Sequence, residues 1–272
     1  MQNFFKLIFL LYSLGGLCTS GLLWGQTTPQ PMGHDVYEIW RSIKSYDLSP
    51  SGKWLHYEIG PAKGDGHLFL LESGTEQLDS VSRGTQAELA GDESFIAFKI
   101  KPHYDTIRQA KIAQVSSSDR PQDSLGVWMT ENLDLVKIPL IQSFKVAEKQ
   151  GSWLAYQAKY PKVDAPAPDS SVVDSSEEKT PAPKGSYLVL WEPSSGDSVW
   201  LPEVEEYTVS RHGQVIGLIH DLESDSLDSV CVQLFITSSQ RFDTLYLGPG
   251  KAQDLEIHDE GEGYQVAYLM TT

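Results

Sequence analysis

The 272-residue sequence contains only two cysteines, Cys18 and Cys231. Cys18 lies in an apolar amino-terminal stretch that is predicted, as argued below, to be removed on export; one cysteine then remains, which excludes an intramolecular disulfide. Packing must therefore hold the fold. Cys231 stands between Val230 and Val232 in a strand-like run, and this context favours a small buried residue over a reactive thiol.

Basic residues are also scarce. Lysine and arginine number 21 against 37 aspartates and glutamates, which gives a formal net charge of −16 at pH 7. A negative chain is repelled by phosphate groups, which argues against nucleic acid and anionic membrane surfaces as partners. With 40% hydrophobic and 21% charged residues, the composition is typical of a folded, globular protein.

The common catalytic and cofactor motifs are missing. No Gly-x-Ser-x-Gly pentapeptide is present, although a serine hydrolase needs one to project its nucleophile from a strand-to-helix turn. There is also no Cys-x-x-Cys, no glycine-rich phosphate loop and no pair of histidines at the i, i+4 spacing of a zinc site. The sequence therefore predicts no catalytic residue, no metal site and no cofactor in this chain.

The first 25 residues differ from the rest. Lys6 precedes an apolar run from Leu7 to Trp24, and a polar stretch rich in Thr, Pro and Gln follows. This pattern predicts a secretory signal peptide over residues 1–25 and a periplasmic or extracellular protein. A retained transmembrane helix is the alternative, but small residues in the distal part and the lack of a basic stop-transfer cluster favour cleavage. A lipoprotein signal is disfavoured because Leu17 precedes Cys18.

Residues 26–47 form a segment that leads into the main domain. Val36, Ile39, Trp40 and Ile43 recur at i, i+3, i+4 and i+7, which places them on one face of a helix, and Asp35 is suited to cap it. We therefore expect a short helix here that packs on the domain that follows.

From residue 48 onward one short phrase recurs five times, at intervals of 41 to 62 residues. It consists of a polar turn, two apolar residues, a mostly small residue, and an aromatic residue or Leu. Its copies are Trp54-Leu55-His56-Tyr57, Phe95-Ile96-Ala97-Phe98, Trp153-Leu154-Ala155-Tyr156, Val215-Ile216-Gly217-Leu218 and Gln265-Val266-Ala267-Tyr268. Such a repeat is typical of β-propeller blades.

Further apolar runs follow each phrase, so each repeat is predicted to contain four short strands, which favours an all-β fold over a parallel α/β sheet. We expect units at 46–90, 91–147, 148–209 and 210–258 and a remnant from 259. Residues 48–272 are thus predicted to form about four and a half blades of four-stranded antiparallel sheet. The small residue of the phrase suits an innermost strand, where blades crowd around a channel. His56 replaces it in the first copy, where a structural role is favoured over a ligand contact.

A low-complexity insertion interrupts the third unit at residues 161–184. It is rich in Pro, Ser, Asp and Glu and almost devoid of large apolar side chains, so it cannot offset the entropy cost of ordering. We expect an exposed loop between the first and second strands of the third blade. Asp169 and Asp174 lack the alternating spacing of a calcium-binding loop.

Two segments are weak candidates for binding. Glu205 and Glu206 place adjacent carboxylates beside Tyr207, a combination suited to gripping a peptide amine, although adjacent strand residues face opposite sides. The charged and aromatic segment 101–111 lengthens the second blade, and we expect it to form a long loop at the rim or mouth of the propeller. With His56, these carboxylates are the candidate substrate-binding residues.

Several of these features together resemble the amino-terminal propeller of exported bacterial serine peptidases of the prolyl oligopeptidase family, of the dipeptidyl peptidase IV type. They are the signal peptide, the opening from Leu48 to Trp54, the 101–111 extension, the run from Asp123 to Trp128 and the acidic insertion. The resemblance covers nearly the whole chain after residue 25. Phrases such as Ser49-Pro50-Ser51-Gly52-Lys53 also occur in TolB-like propellers.

The resemblance implies a propeller that gates and positions peptide substrates for an α/β-hydrolase domain. We expect that domain and about half of the blades to be missing from this chain, so that it has no activity alone. Peptide substrate and the hydrolase domain are then the expected partners, and open blade edges are expected to allow self-association. The alternative is a stand-alone exported binding module that engages a protein or peptide.

Overall fold

The computed structural model describes residues 33, 40–160, 185–224, 227–260 and 263–271. The chain divides into two compact units, Met1–Trp40 and Arg41–Thr272. The first contains only two described residues, so the predicted signal peptide (1–25) lies outside the described residues. The second unit contains all of the strands and the helix that follow.

Five antiparallel sheets, each built from consecutive strands, make up the second unit. Their strands are, in chain order, β1 (Arg41–Leu48), β2 (Trp54–Pro61), β3 (His67–Glu72) and β4 (Gln77–Ser82); β5 (Gly84–Leu89), β6 (Phe95–Ile100), β7 (Ser124–Met129) and β8 (Leu135–Ile138); β9 (Ile141–Val146), β10 (Leu154–Lys159), β11 (Ser186–Trp191) and β12 (Ser198–Pro202); β13 (Val204–Val209), β14 (Val215–Ser224), β15 (Leu227–Ile236) and β16 (Arg241–Pro249); and β17 (Lys251–His258) with β18 (Gln265–Thr271). The expected all-β architecture of four-stranded antiparallel sheets, consistent with propeller blades, is confirmed for these residues.

The predicted unit boundaries were wrong by one strand. The repeated phrase lies on the second strand of each sheet, not on the innermost one, and the strand assigned to the end of each unit begins the next sheet. The second strands β6, β10 and β14 are buried on both faces, whereas the first strand β5 includes the exposed residues Gln86 and Glu88. The second strands therefore carry the stronger sequence signal.

The predicted amino-terminal helix is wrong from Arg41 onward. Residues 34–39 lie outside the described ranges, but Arg41–Leu48 form β1, in which Ile43 pairs with Ile59 and Tyr46 with Tyr57. The propeller sheets thus begin at residue 41 instead of 48. Pairing with β2 satisfies the backbone groups of this segment and overrides its helical periodicity.

Segment 101–111 is a helix and not the expected long loop. Helix α1 (Tyr104–Ile112) joins β6 to β7, and none of its side chains is buried. Asp65, in the connection between β2 and β3, accepts a hydrogen bond from the backbone N–H of Tyr104 at 2.9 Å, and its other oxygen lies 3.1 Å from His103 Nδ1. The carboxylate that satisfies the start of the helix is therefore distant in sequence.

Apolar clusters fill the spaces between successive sheets. Trp54, Leu68, Ile96, Phe98 and Trp128 pack between the first two sheets. Equivalent clusters lie between the second and third, third and fourth, and fourth and fifth sheets. Along β6, Phe95 and Ala97 face the third sheet whereas Ile96 and Phe98 face the first, which is the alternation that a strand buried on both faces requires.

The small residue of the fourth copy of the phrase, Gly217, faces the first strand of the next sheet at short distance. A Cβ atom on Gly217 would come within 2.8 Å of Leu255 and 2.9 Å of Ile257, both on β17. A small residue is therefore needed because of crowding between sheets, as predicted, but it lies on the second strand and not on the innermost one.

The insertion at 161–184 lies outside the described residues. It joins β10 to β11, which are the second and third strands of their sheet, and not the first and second as predicted. Cys231 lies buried in β15, and burial raises the pKa of its thiol.

Candidate functional site in the central cavity

The first strands of the five sheets line a cavity of about 920 Å³. Four charged or polar side chains on these strands occupy equivalent places, because each pairs with the small position of the repeated phrase. These are Asp47 opposite His56, Glu88 opposite Ala97, Lys145 opposite Ala155 and Thr208 opposite Gly217. The fifth equivalent residue, Glu256 opposite Ala267, lines an adjoining space of about 420 Å³ with Thr208. We call these five residues the cavity ring.

Charges of both signs meet in this cavity, which also includes Glu148 and Arg211. The guanidinium of Arg211 bridges two carboxylates, with Nε 2.9 Å from Glu148 and Nη1 3.2 Å from Glu260. Lys145 donates a hydrogen bond to the backbone oxygen of Tyr207 at 3.0 Å, and its ammonium lies 5.5 Å from the centre of that ring. Two carboxylates therefore offset the charge of Arg211, whereas Lys145 forms no ion pair with a carboxylate in the described ranges.

Asp47, Glu88 and Lys145 form no ion pair with any other residue in the described ranges. Burial raises the pKa of Glu88, and the negative charge of the nearby Glu148 raises it further. A hydrogen bond from the backbone N–H of Val146 and the positive charges of Lys145 and Lys99 oppose this rise. A positive group entering the cavity would favour the ionised form of Glu88. The cavity thus presents two carboxylates and one ammonium to a ligand.

The turns between the first and second strands hold neighbouring sheets together. Glu93 accepts hydrogen bonds from the backbone N–H and the hydroxyl of Ser51, at 2.9 and 2.5 Å. Lys149 N–H donates to the oxygen of Arg211 at 2.9 Å. Buried Asp259 accepts from the backbone N–H of His212 at 2.9 Å and lies 3.0 Å from its Nδ1. These contacts fix the spacing of the first strands, and therefore the size of the cavity.

The Asp259 carboxylate is expected to make the free energy of unfolding depend on pH in the acidic range. Burial raises the pKa of this carboxyl, but hydrogen bonds from His212 and Ser210 outweigh it, so the pKa lies below its ordinary value of 3.8. The stabilisation is present above that ordinary value and is lost as pH falls through the lower folded-state pKa. Urea unfolding at pH 7 should show Asp259→Asn less stable by about 1–2 kcal/mol. The difference should shrink towards pH 3; a difference that is constant over this range would contradict the assignment.

The structure separates the two adjacent glutamates. Glu205 is exposed beside a register shift in β13. Glu206 accepts hydrogen bonds from the backbone N–H groups of Asp254 and Leu255 at 3.0 and 2.9 Å, which joins β13 to β17. The Tyr207 hydroxyl points to the other side and lies 2.8 Å from Ser143 Oγ. Glu205 and Glu206 are therefore not brought together at one point.

His56 lies buried on β2, opposite Asp47. Neither of its ring nitrogens has a hydrogen-bond partner in the described part of the chain. Burial lowers the pKa of His56, and the negative charge of Asp47 partly opposes this effect. The imidazole is consequently neutral at pH 7, and Asp47, not His56, lines the cavity.

Sequence reasoning missed the cavity ring because Asp47, Glu88, Lys145, Thr208 and Glu256 share no residue type. The sequence did hold a clue to these positions, because each residue of the cavity ring lies on the strand that precedes a copy of the repeated phrase. Within the described ranges, no group of three His, Cys, Asp or Glu residues is arranged to hold a metal ion. In that same part of the chain no helix is both long and apolar enough to cross a membrane.

No protein-family profile matches the chain, and no curated protein matches it. Among solved structures it is similar to the acylaminoacyl peptidase of Pyrococcus horikoshii, with a TM-score of 0.42 and 10% identity over 78% of this chain and 33% of that one. It is also similar to the β-propeller domain of the Trilobed protease from Pyrococcus furiosus, with a TM-score of 0.43 and 10% identity over 85% of this chain and 69% of that one.

A third similar structure is the hydrazine synthase of Kuenenia stuttgartiensis, with a TM-score of 0.37 and 10% identity over 90% of this chain and 59% of that one. The chain spans 33% and 39% of the length of two acylaminoacyl peptidase chains that it matches. The chain is similar to the propeller domains of peptidases at low identity.

Proposed function

We propose that this chain is the propeller portion of an exported serine peptidase of the prolyl oligopeptidase type, and that it gates and positions peptide substrates. In this proposal an α/β-hydrolase domain outside this chain performs the chemistry. The signal-peptide pattern of residues 1–25 supports export to the periplasm or the cell exterior. The motifs from Leu48 to Trp54 and from Asp123 to Trp128 support the peptidase relationship.

The observation that carries the proposal is the charge arrangement in the central cavity. Its volume of about 920 Å³ is in the range that accommodates a small ligand such as a short peptide. A peptide with free ends carries one ammonium and one carboxylate. Asp47 and Glu88 suit the ammonium, and Lys145 suits the carboxylate, through charge-assisted hydrogen bonds. The cavity is therefore suited to hold a short peptide by its charged ends.

Calorimetric titration with a proline-containing hexapeptide tests this proposal. The peptide with free ends should bind, and acetylation of its amino end with amidation of its carboxyl end should weaken binding about tenfold or more, because charge-assisted hydrogen bonds are lost. Glu88→Gln and Lys145→Gln should each weaken binding of the free peptide by about tenfold. Lys137→Gln, on the exposed part of β8, is the matched control and should leave binding unchanged.

Two results would overturn the proposal. One is the absence of heat of binding at millimolar peptide with a folded protein. The other is equal binding of the free and the blocked peptides, since the charges of the cavity ring would then contribute nothing.

A further inference from the structure

The central cavity lies at one end of the sheets. It is lined by the last residues of the first strands, such as Leu89, Val146 and Val209, together with Glu148 and Arg211 in the turns that follow. The side chains of Glu148 and Arg211 are 71% and 50% exposed, so the cavity opens to solvent between these turns. We call this end the turn end, because the turns from first to second strands and from third to fourth strands lie there.

The turn end carries mostly negative charge. Within the described ranges its nine turns contain ten Asp or Glu residues and three Lys or Arg residues. All three cations, Lys53, Lys149 and Arg211, form ion pairs with carboxylates. Seven of the ten carboxylates form no ion pair in the same part of the chain. The turn end therefore presents a negative potential to an approaching ligand.

The opposite end of the sheets is nearly neutral in the described ranges. Its connections, from second to third strands and from one sheet to the next, contain six Lys or Arg residues and five Asp or Glu residues. Each fourth strand ends there, as β4 does where Arg83 joins it to β5. A domain that follows a last sheet of the same kind would therefore begin at the neutral end, away from the opening of the cavity. Further sheets would enlarge the turn end without removing its described carboxylates.

The cavity holds more negative charge than the two ends of a peptide require. Asp47, Glu88 and Lys145 form no ion pair in the described ranges. A peptide ammonium can pair with one of the two carboxylates, and a peptide carboxylate can pair with Lys145. One carboxylate of the cavity is then left without a positive partner. Glu256 adds another negative charge in the adjoining space.

We propose that the cavity selects cationic peptides, in which a Lys or Arg side chain accompanies the free amino end, and that these peptides enter through the turn end. This inference rests on the proposed function and specifies the substrate class of the same cavity. The basic side chain would pair with whichever of Asp47 and Glu88 the peptide ammonium leaves free. The negative turn end would attract the peptide before contact and raise its association rate.

Two proline-containing hexapeptides with free ends test the charge preference. One carries arginine at its second position, and the other carries citrulline there, which has nearly the same shape but no charge. Calorimetric titration should show that the arginine peptide binds about tenfold more tightly, because a charge-assisted hydrogen bond is added. In stopped-flow measurements, its association should slow about threefold or more from about 0.05 to about 0.5 M salt, since salt screens the attraction. The citrulline peptide should show little change.

Substitutions in the cavity test which groups provide the preference. Asp47→Asn should reduce the preference for arginine from about tenfold to less than about twofold, because the remaining carboxylate pairs with the peptide ammonium. Glu88→Gln should have the same effect and provides a second variant. Glu203→Gln is the matched control, since Glu203 is an exposed carboxylate in the connection from β12 to β13, at the neutral end; this variant should keep the full preference. Circular dichroism checks that each variant is folded.

The possible results separate this inference from the proposed function. Equal affinity for the arginine and citrulline peptides, with binding still weakened when their ends are blocked, would overturn the inference and leave the proposed function standing. A preference that Asp47→Asn and Glu88→Gln both leave intact would also overturn it. Absence of binding by both peptides would overturn the inference together with the proposed function. A preference that is lost in the cavity variants and kept in Glu203→Gln supports the inference.

Discussion

Replacing Trp153 with alanine is expected to lower the free energy of unfolding by about 3–5 kcal/mol. The indole is only 4% exposed and lies in the cluster between the third and fourth sheets. It meets the ring of Phe235 edge-on, with centres 5.0 Å apart. Alanine would leave a cavity between two sheets that are both pinned by neighbours, so the space cannot readily collapse.

Trp200 provides the control for this substitution. It lies on the outer strand β12, is 60% exposed and stacks on Tyr187. Trp200→Ala should therefore cost about 1 kcal/mol or less, as is usual for surface positions. Chemical denaturation monitored by far-ultraviolet circular dichroism measures both changes. Similar costs for the two tryptophans would show that Trp153 is not packed between the third and fourth sheets.

The second large effect is expected at Gly91, in the turn between β5 and β6. A Cβ atom there would come within 2.2 Å of the backbone nitrogen of Gln150 and 2.5 Å of the carbonyl carbon of Lys149. Both atoms belong to the turn of the next sheet and cannot move aside as a side chain can. Gly91→Ala should therefore push the second and third sheets apart, at a cost of about 3 kcal/mol.

Gly74→Ala is the matched control, since no atom lies within 4 Å of a Cβ placed there. This substitution should be neutral or slightly stabilising, by a few tenths of a kcal/mol, because it restricts the unfolded chain. Thermal unfolding of the two variants side by side is the measurement. A Gly91→Ala variant that melts with the unaltered chain would mean that the turns are not in contact.

Much of the fold could be predicted because the second strands repeat. Phe95 to Phe98 and Trp153 to Tyr156 are buried on both faces, so their apolar pattern is dense and independent of neighbours in sequence. The first strands could not be placed in this way. Asp47, Glu88 and Lys145 interrupt their apolar pattern because these strands face a cavity, and a strand with polar interruptions is assigned to a sheet by its partners.

Two predictions of local structure, the amino-terminal helix and the loop at 101–111, were wrong because contacts with residues distant in sequence decide both segments. The helical spacing that ends at Ile43 is real in the sequence, but β2 supplies the pairing that makes Arg41–Leu48 a strand. Conversely, α1 lacks a buried apolar side, and its start depends on Asp65 in another connection. Periodicity within a segment cannot reveal a partner that lies outside it.

The candidate site was harder to predict than the fold. Glu205 and Glu206 were chosen because they are adjacent in sequence, yet Glu206 accepts hydrogen bonds from backbone N–H groups of β17. Successive members of the cavity ring are between 41 and 63 positions apart in sequence, and only the packing of the sheets around a common space brings them together. The placement of such a ring depends on tertiary packing and not on any local motif.

The succession of interfaces has a consequence for how the sheets communicate. Each apolar cluster draws its buried residues from two successive sheets, so the unit behaves as a linear array whose stability is a sum of neighbour terms. The central cavity is different, because its lining comes from the first strand of every sheet. A ligand held there would act as a noncovalent cross-link between sheets that share no cluster, and its binding energy would be distributed along the whole array.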